Sequence, residues 1–270
     1  MSEVAEKKGI ELPTKVREPK AKNPHTLLIY APPKMGKSTI ASQLENSLML
    51  ELEANGADYV SGCILDISKP SDFNKALDAI EAANTPTKKK YEYLIVDTLT
   101  QLDIWSETVG TYNYMKKSQG RKFNREGDVP NGPMIMHTDP RFESVHELPN
   151  GFGYVHSRNQ MIDWYERIVT LADHIIFICH VKETMIESKN GDTVESKDIN
   201  LTGKVKSIIA SKVDAIGILS RKDGKGYLNF SNEYKIVSGG RCAHLDGEIL
   251  ISEKQKDGSI KTFWENIYKK

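Results

Sequence analysis

The sequence predicts an α/β fold, a mostly parallel central sheet with helices on both faces. Three observations carry that prediction. Apolar runs of strand length alternate with amphipathic, helix-length stretches. Several runs end in acids or other polar residues, where an open parallel sheet faces its ligand crevice. The first run, Leu27 to Ala31, leads through a Pro-rich turn into Gly36-Lys37-Ser38-Thr39 and a helical pattern. That order is strand, phosphate loop, helix.

Composition sets the bounds. A chain of 270 residues can form one large α/β domain or two small ones, and no repeat or second set of core signals divides it. Lys+Arg and Asp+Glu both number 37, so global charge argues neither for nor against a nucleic-acid partner. The three cysteines are far apart and odd in number. They give no disulfide framework or metal spacing and fit a reducing, cytoplasmic setting. No apolar run is long enough to span a bilayer, and the N-terminus lacks the apolar core of a secretion signal. Residues 1–24 are polar, with Pro13 and Pro19. They read as a flexible tail ahead of one domain, 25–270.

Pro32, Pro33, Lys34, Met35, Gly36, Lys37, Ser38 and Thr39 form the loop whose backbone N–H groups can wrap a phosphate. Lys37 is placed for the β/γ-phosphates and the Ser38 hydroxyl for Mg²⁺. Ala31 stands where the pattern G-x-x-x-x-G-K-[ST] has its first Gly. It serves if φ stays negative there, and Gly36 keeps the close backbone approach. The next strand, Ser47 to Leu52, ends in Glu53. A carboxylate at that end of a parallel strand can orient and activate a water against a γ-phosphate. Glu51 is the alternative for that role.

Cys63 to Ile67 suggests a short strand, and Phe73 to Ala83 an amphipathic helix capped by Ser71 or Asp72. The run from Tyr91 to Asp97 is a hydrophobic strand ending in an acid, 60 residues after Lys37. Asp97 is thereby the second candidate for holding Mg²⁺. Thr98, not Glu, follows it, so a catalytic acid must come from elsewhere, and Glu53 is available. A helix follows from Leu99 to about Met115, then a long irregular stretch to about His156. Lys116, Lys117, Arg121, Lys122 and Arg125 fall there with Tyr112, Tyr114 and Phe123. Cations interleaved with aromatic rings suit single-stranded nucleic acid, and a solvated loop is the alternative. His137, His146 and His156 match no compact metal motif.

Gln160 to Leu171 reads as a helix, and Asp173 to Lys182 as a buried strand in which His180 sits where a γ-phosphate sensor would sit. Gly191-Asp192 signals a hairpin turn. A helix starts at Gly203, where Lys204 and Lys206 could touch a DNA backbone. Val213 to Leu219 and Tyr227 to Phe230 are strands. Arg241, after Gly239-Gly240, is a candidate arginine finger for a neighbouring subunit, with a surface arginine as the alternative. Phe263 to Tyr268 reads as a docked helix.

The phosphate loop, Glu53 before a Gly-containing turn, the strand ending at Asp97-Thr98, and Ile178-Cys179-His180-Val181-Lys182 occur in that order. In that order they resemble the RecA-like P-loop ATPases encoded by bacteriophages, nearest the single-domain single-strand annealing proteins or minimal recombinases. The resemblance covers about residues 24–250. It implies ATP and Mg²⁺ binding, DNA-stimulated hydrolysis, and assembly into rings or filaments with ATP between subunits. It makes Glu53 the catalytic acid, His180 the polar sensor and residues 183–203 a DNA loop. It also implies annealing or strand exchange on single-stranded DNA, with a single-strand DNA binding protein as a further partner. A P-loop phosphotransferase and a nucleotide-gated assembly protein with little catalysis are the alternatives.

Overall fold

The computed structural model describes residues 12–118, 120, 142–187, 193–231 and 236–270. Residues 12–22 are exposed and irregular. The first half alternates strand and helix: β1 (Thr26–Ala31), α1 (Lys37–Ala41), β2 (Ser47–Glu51), β3 (Ile64–Asp66), α2 (Pro70–Ala83), β4 (Tyr93–Asp97) and α3 (Leu99–Met115). Then come α4 (Tyr154–Ile168), β5 (His174–Glu187), β6 (Thr193–Ile199), α5 (Gly203–Lys212) and β7 (Ala215–Lys222). Four short strands close the chain: β8 (Lys225–Asn229), β9 (Gly239–Gly240), β10 (Glu248–Lys254) and β11 (Ile260–Thr262).

The sheet runs β11-β10-β8-β7-β1-β5-β4-β2-β3. From β7 to β3 every pairing is parallel, and the antiparallel strands are added at the β7 side and along β5. All six residues of β1 are buried, as a strand covered on both faces requires. Register decides what shares the ligand-facing edge. Ala31 pairs with His180 across β1 and β5, and Glu51 pairs with Asp97 across β2 and β4.

Helices cover both faces, unequally. One core packs α2 to α5 against Leu28, Tyr30, Val96 and Phe177, with Phe73, Trp105 and Trp164 at its centre. The other packs Ile40 of α1 and the C-terminal Trp264, Ile267 and Tyr268 against Leu27, Ile29 and Ile178. The helix expected at the C-terminus is a single 3-10 turn, Trp264–Asn266. Trp264 donates its indole N–H to the Ile40 carbonyl at 2.9 Å, which fastens the end of the chain beneath α1.

Other boundaries also moved. α4 begins six residues before the expected Gln160. A Cβ on Gly153 would fall 1.5 Å from the Val145 carbonyl oxygen, so α4 starts where the backbone crosses a preceding turn. The stretch expected to be irregular holds two 3-10 turns, Val145–Glu147 and Pro149–Gly151. They are pinned to α3 and α4 by Val145 N–H on Thr111 Oγ1 at 3.0 Å and by His146 Nε2 with Ser157 Oγ at 2.7 Å. β10 and β11 are short and partly exposed, with too weak a period to be expected. The turn at Gly191-Asp192 lies outside the described residues. Among the described residues no helix is long and apolar enough to cross a membrane.

Candidate functional site: the phosphate loop and its acidic flank

The loop after β1 is a tight turn over the first turn of α1. Positive φ falls on Lys34 (65°) and Gly36 (85°), and Ala31 is not among the positive-φ residues. The methyl group that replaces the pattern's first Gly is therefore accommodated. Lys37 is buried, 6% exposed. Its Nζ donates to the carbonyls of Ala31 at 3.0 Å and Pro32 at 3.1 Å. Burial lowers its pKa while the charge of Asp97 opposes the shift. A buried ammonium held only by loop carbonyls is poised to exchange them for an anionic oxygen.

Asp97 is 3% exposed. Burial pushes its pKa up to about 6, although Ser38 hydrogen-bonds to it. Its Oδ2 has no partner. Ser38 and Asp97, the two expected Mg²⁺ residues, thus meet, and an orphaned carboxylate oxygen points at the need for a cation. Among the described residues no cluster of three His, Cys, Asp or Glu could hold a metal alone. Mg²⁺ takes one or two protein oxygens and completes its shell with water and substrate phosphate, and Ser38 and Asp97 offer such a pair.

Glu53 lies just past β2. Its Oε1 accepts from His180 Nε2 at 2.7 Å and Thr98 Oγ1 at 2.8 Å. The His180 bond is the main reason its pKa is lowered, against the opposing effect of burial. A carboxylate can only accept, so His180 donates through Nε2, and its Nδ1 is buried without a partner. Thr98 also accepts from Gln101 N–H at 3.1 Å as the N-cap of α3. The residue that stands where an acid was sought after Asp97 therefore supports Glu53 from the neighbouring strand. His180 is fixed from behind: its N–H donates to Thr100 Oγ1 at 3.1 Å.

Glu51, the alternative for the acid's role, is not suited to it. It is 3% exposed, and burial with the adjacent Asp97 pushes its pKa up to about 8. A carboxyl that is neutral near pH 7 cannot act as the base. Its Oε1 instead accepts the Glu53 N–H at 2.9 Å, and so sets the turn that presents Glu53.

Lys37, Ser38, Glu53, Asp97 and His180 line one cavity of about 450 Å³. Tyr59, which carries no motif in the sequence, stands fully exposed at its rim. Its only signal was its place six residues beyond Glu53.

The remaining predicted residues lie elsewhere. Arg241 donates to Asp214 Oδ1 at 3.1 Å and to the Ser211 carbonyl. Asp214 also accepts from His25 N–H at 3.0 Å and Thr26 N–H at 3.1 Å. Arg241 is thereby bound to its own chain at the start of β1 and β7, the end of the sheet away from the phosphate loop. Lys206 is ion-paired with Asp198. The Lys116 ammonium lies 4.2 Å from the Tyr112 ring centroid. Lys117 and Lys204 are exposed. Arg121, Lys122 and Arg125 lie outside the described residues.

This fold and site are those of the P-loop NTPase class: a mostly parallel α/β sheet whose strand ends converge on a phosphate loop. The model of the family described as an AAA domain matches residues 23–242, and the chain belongs to that family. No curated protein matches it. Among solved structures it is similar to the crystal structure of the RadB recombinase at 11% identity, with a TM-score of 0.41. That likeness covers 89% of this chain and 92% of that chain, and at this TM-score it is too slight to assign a function.

Proposed function

We propose that the protein is a Mg²⁺-dependent ATPase, stimulated by single-stranded DNA, that works as an oligomer to promote annealing or strand exchange. The observation that carries the ATPase part is Glu53, ionised and held by His180 and Thr98 across one cavity from Lys37. The loop N–H groups and Lys37 bind the polyphosphate. Ser38 and Asp97 would hold Mg²⁺, which supplies charge neutralisation for the phosphate oxygens. Glu53 aligns a water and accepts its proton. His180 stabilises the Glu53 carboxylate by donating Nε2–H, and so links the state of the acid to β5. Tyr59 offers a ring against which a base can stack.

The DNA part rests on the exposed Lys117 and Lys204 and on the basic-aromatic pattern from Lys116 onward. A single-strand DNA binding protein is its expected further partner. Steady-state hydrolysis with and without single-stranded DNA tests the reading, with Lys37→Ala as the blank. Stimulation that disappears in the variant supports it. Hydrolysis indifferent to DNA moves the chain to a phosphotransferase or a nucleotide-gated assembly protein.

A further inference from the structure

Arg221 belongs to none of the motifs in the sequence. It lies at the end of β7, which flanks β1 on the side away from β5 and β4. Tyr30 pairs with Ile218 near the end of β1, and β7 runs on to Lys222 beside the loop that follows β1. There the guanidinium closes on the phosphate loop. A Cβ on Gly36 would fall 2.3 Å from Arg221 Nη2, 3.2 Å from Cζ and 3.7 Å from Nε. Arg221 thus fills the space that the missing side chain of Gly36 leaves. No carboxylate pairs with it among the described residues, in contrast to Arg241. Arg221 is exposed, beside the glycine that precedes the phosphate-loop Lys37, and a guanidinium fork matches phosphate oxygens two at a time.

We propose that Arg221 binds the nucleotide of its own chain, gripping the phosphate nearest Gly36 from the flank opposite Glu53 and His180. This rests on the ATP-binding reading. Because Gly36 belongs to the part of the loop that cradles the inner phosphates, Arg221 serves ATP and ADP alike, and it is not a sensor of the γ-phosphate.

Titration of a fluorescent ADP and a fluorescent ATP tests this on the full chain. Arg221→Ala is expected to weaken both by roughly 10- to 100-fold, as loss of a charged hydrogen bond does. Arg221→Lys should recover part of the loss, and the thermal midpoint of the nucleotide-free protein should not move. A merely structural role would lower that midpoint and would not be rescued by lysine. Wild-type affinity for both nucleotides in Arg221→Ala, with binding abolished in Lys37→Ala, overturns the assignment and leaves the ATP reading intact. Absence of binding by the wild-type protein overturns both. Recovery of hydrolysis on mixing Arg221→Ala with Lys37→Ala would place Arg221 on a neighbour's nucleotide and refute the own-chain contact.

Discussion

The two flanks of the phosphate loop are built differently. On the β5, β4 and β2 side, Glu53 accepts from His180 at 2.7 Å and from Thr98 at 2.8 Å, with Asp97 and Glu51 buried beside them. On the β7 side stands Arg221, exposed and lying against Gly36. The first flank is made of parallel strand ends whose register fixes every partner. The second is one long side chain on an antiparallel ribbon. Chemistry that needs fixed geometry has the rigid flank. Charge offered to a ligand from solvent has the exposed side chain. Arg221 and Arg241 make the same point at the two ends of one strand. Near the start of β7 Arg241 is tied to Asp214, while at its end Arg221 is available.

The largest expected effect breaks the rigid flank. Glu53→Gln keeps the shape but loses the base, and phosphate release should fall about 10²- to 10⁴-fold with nucleotide affinity preserved. Equal loss of affinity and turnover would place Glu53 in binding instead. Next comes the support beneath the loop. Trp264→Ala removes a buried ring and its bond to the Ile40 carbonyl, and urea unfolding should show a loss of about 3–5 kcal/mol. An unchanged midpoint would mean that the C-terminal turn does not hold α1.

A subtler change separates Glu51 from Glu53. The folded protein keeps the Glu51 proton up to about pH 8, whereas the unfolded chain releases it near 4.5. Between those values the native state binds more protons, so this group lowers stability as pH rises. Glu51→Gln should therefore melt higher than wild type at pH 8, with the gap shrinking toward pH 5. A gap that does not change with pH would show Glu51 ionised in the fold. The smallest effect is expected at Arg241. Arg241→Ala breaks a largely exposed pair and should lower stability by at most about 1 kcal/mol, with ATP hydrolysis unchanged. A tenfold fall in hydrolysis there would return the finger role to Arg241.

The sequence by itself determined the sheet's class and the centre of the site. Phosphate-loop chemistry is local: Gly36, Lys37 and Ser38 are consecutive, and the turn they need is legible in residue types alone. Buried parallel strands are continuous apolar runs, so the strands that end near Glu53 and Asp97 could be read with their ends, whereas β5 runs past His180 to Glu187 as one side of a ribbon with β6. The tertiary structure decided which polar ends meet. Register pairs Glu51 with Asp97; burial then pushes the Glu51 pKa up to about 8, while the bond from His180 holds its neighbour two residues on below the usual carboxylate range. No spacing rule separates Glu51 from Glu53, because desolvation depends on what packs around each. The same holds for Arg221. Its proximity to Gly36 comes from β7 lying beside β1, a contact across 185 residues that no local pattern carries.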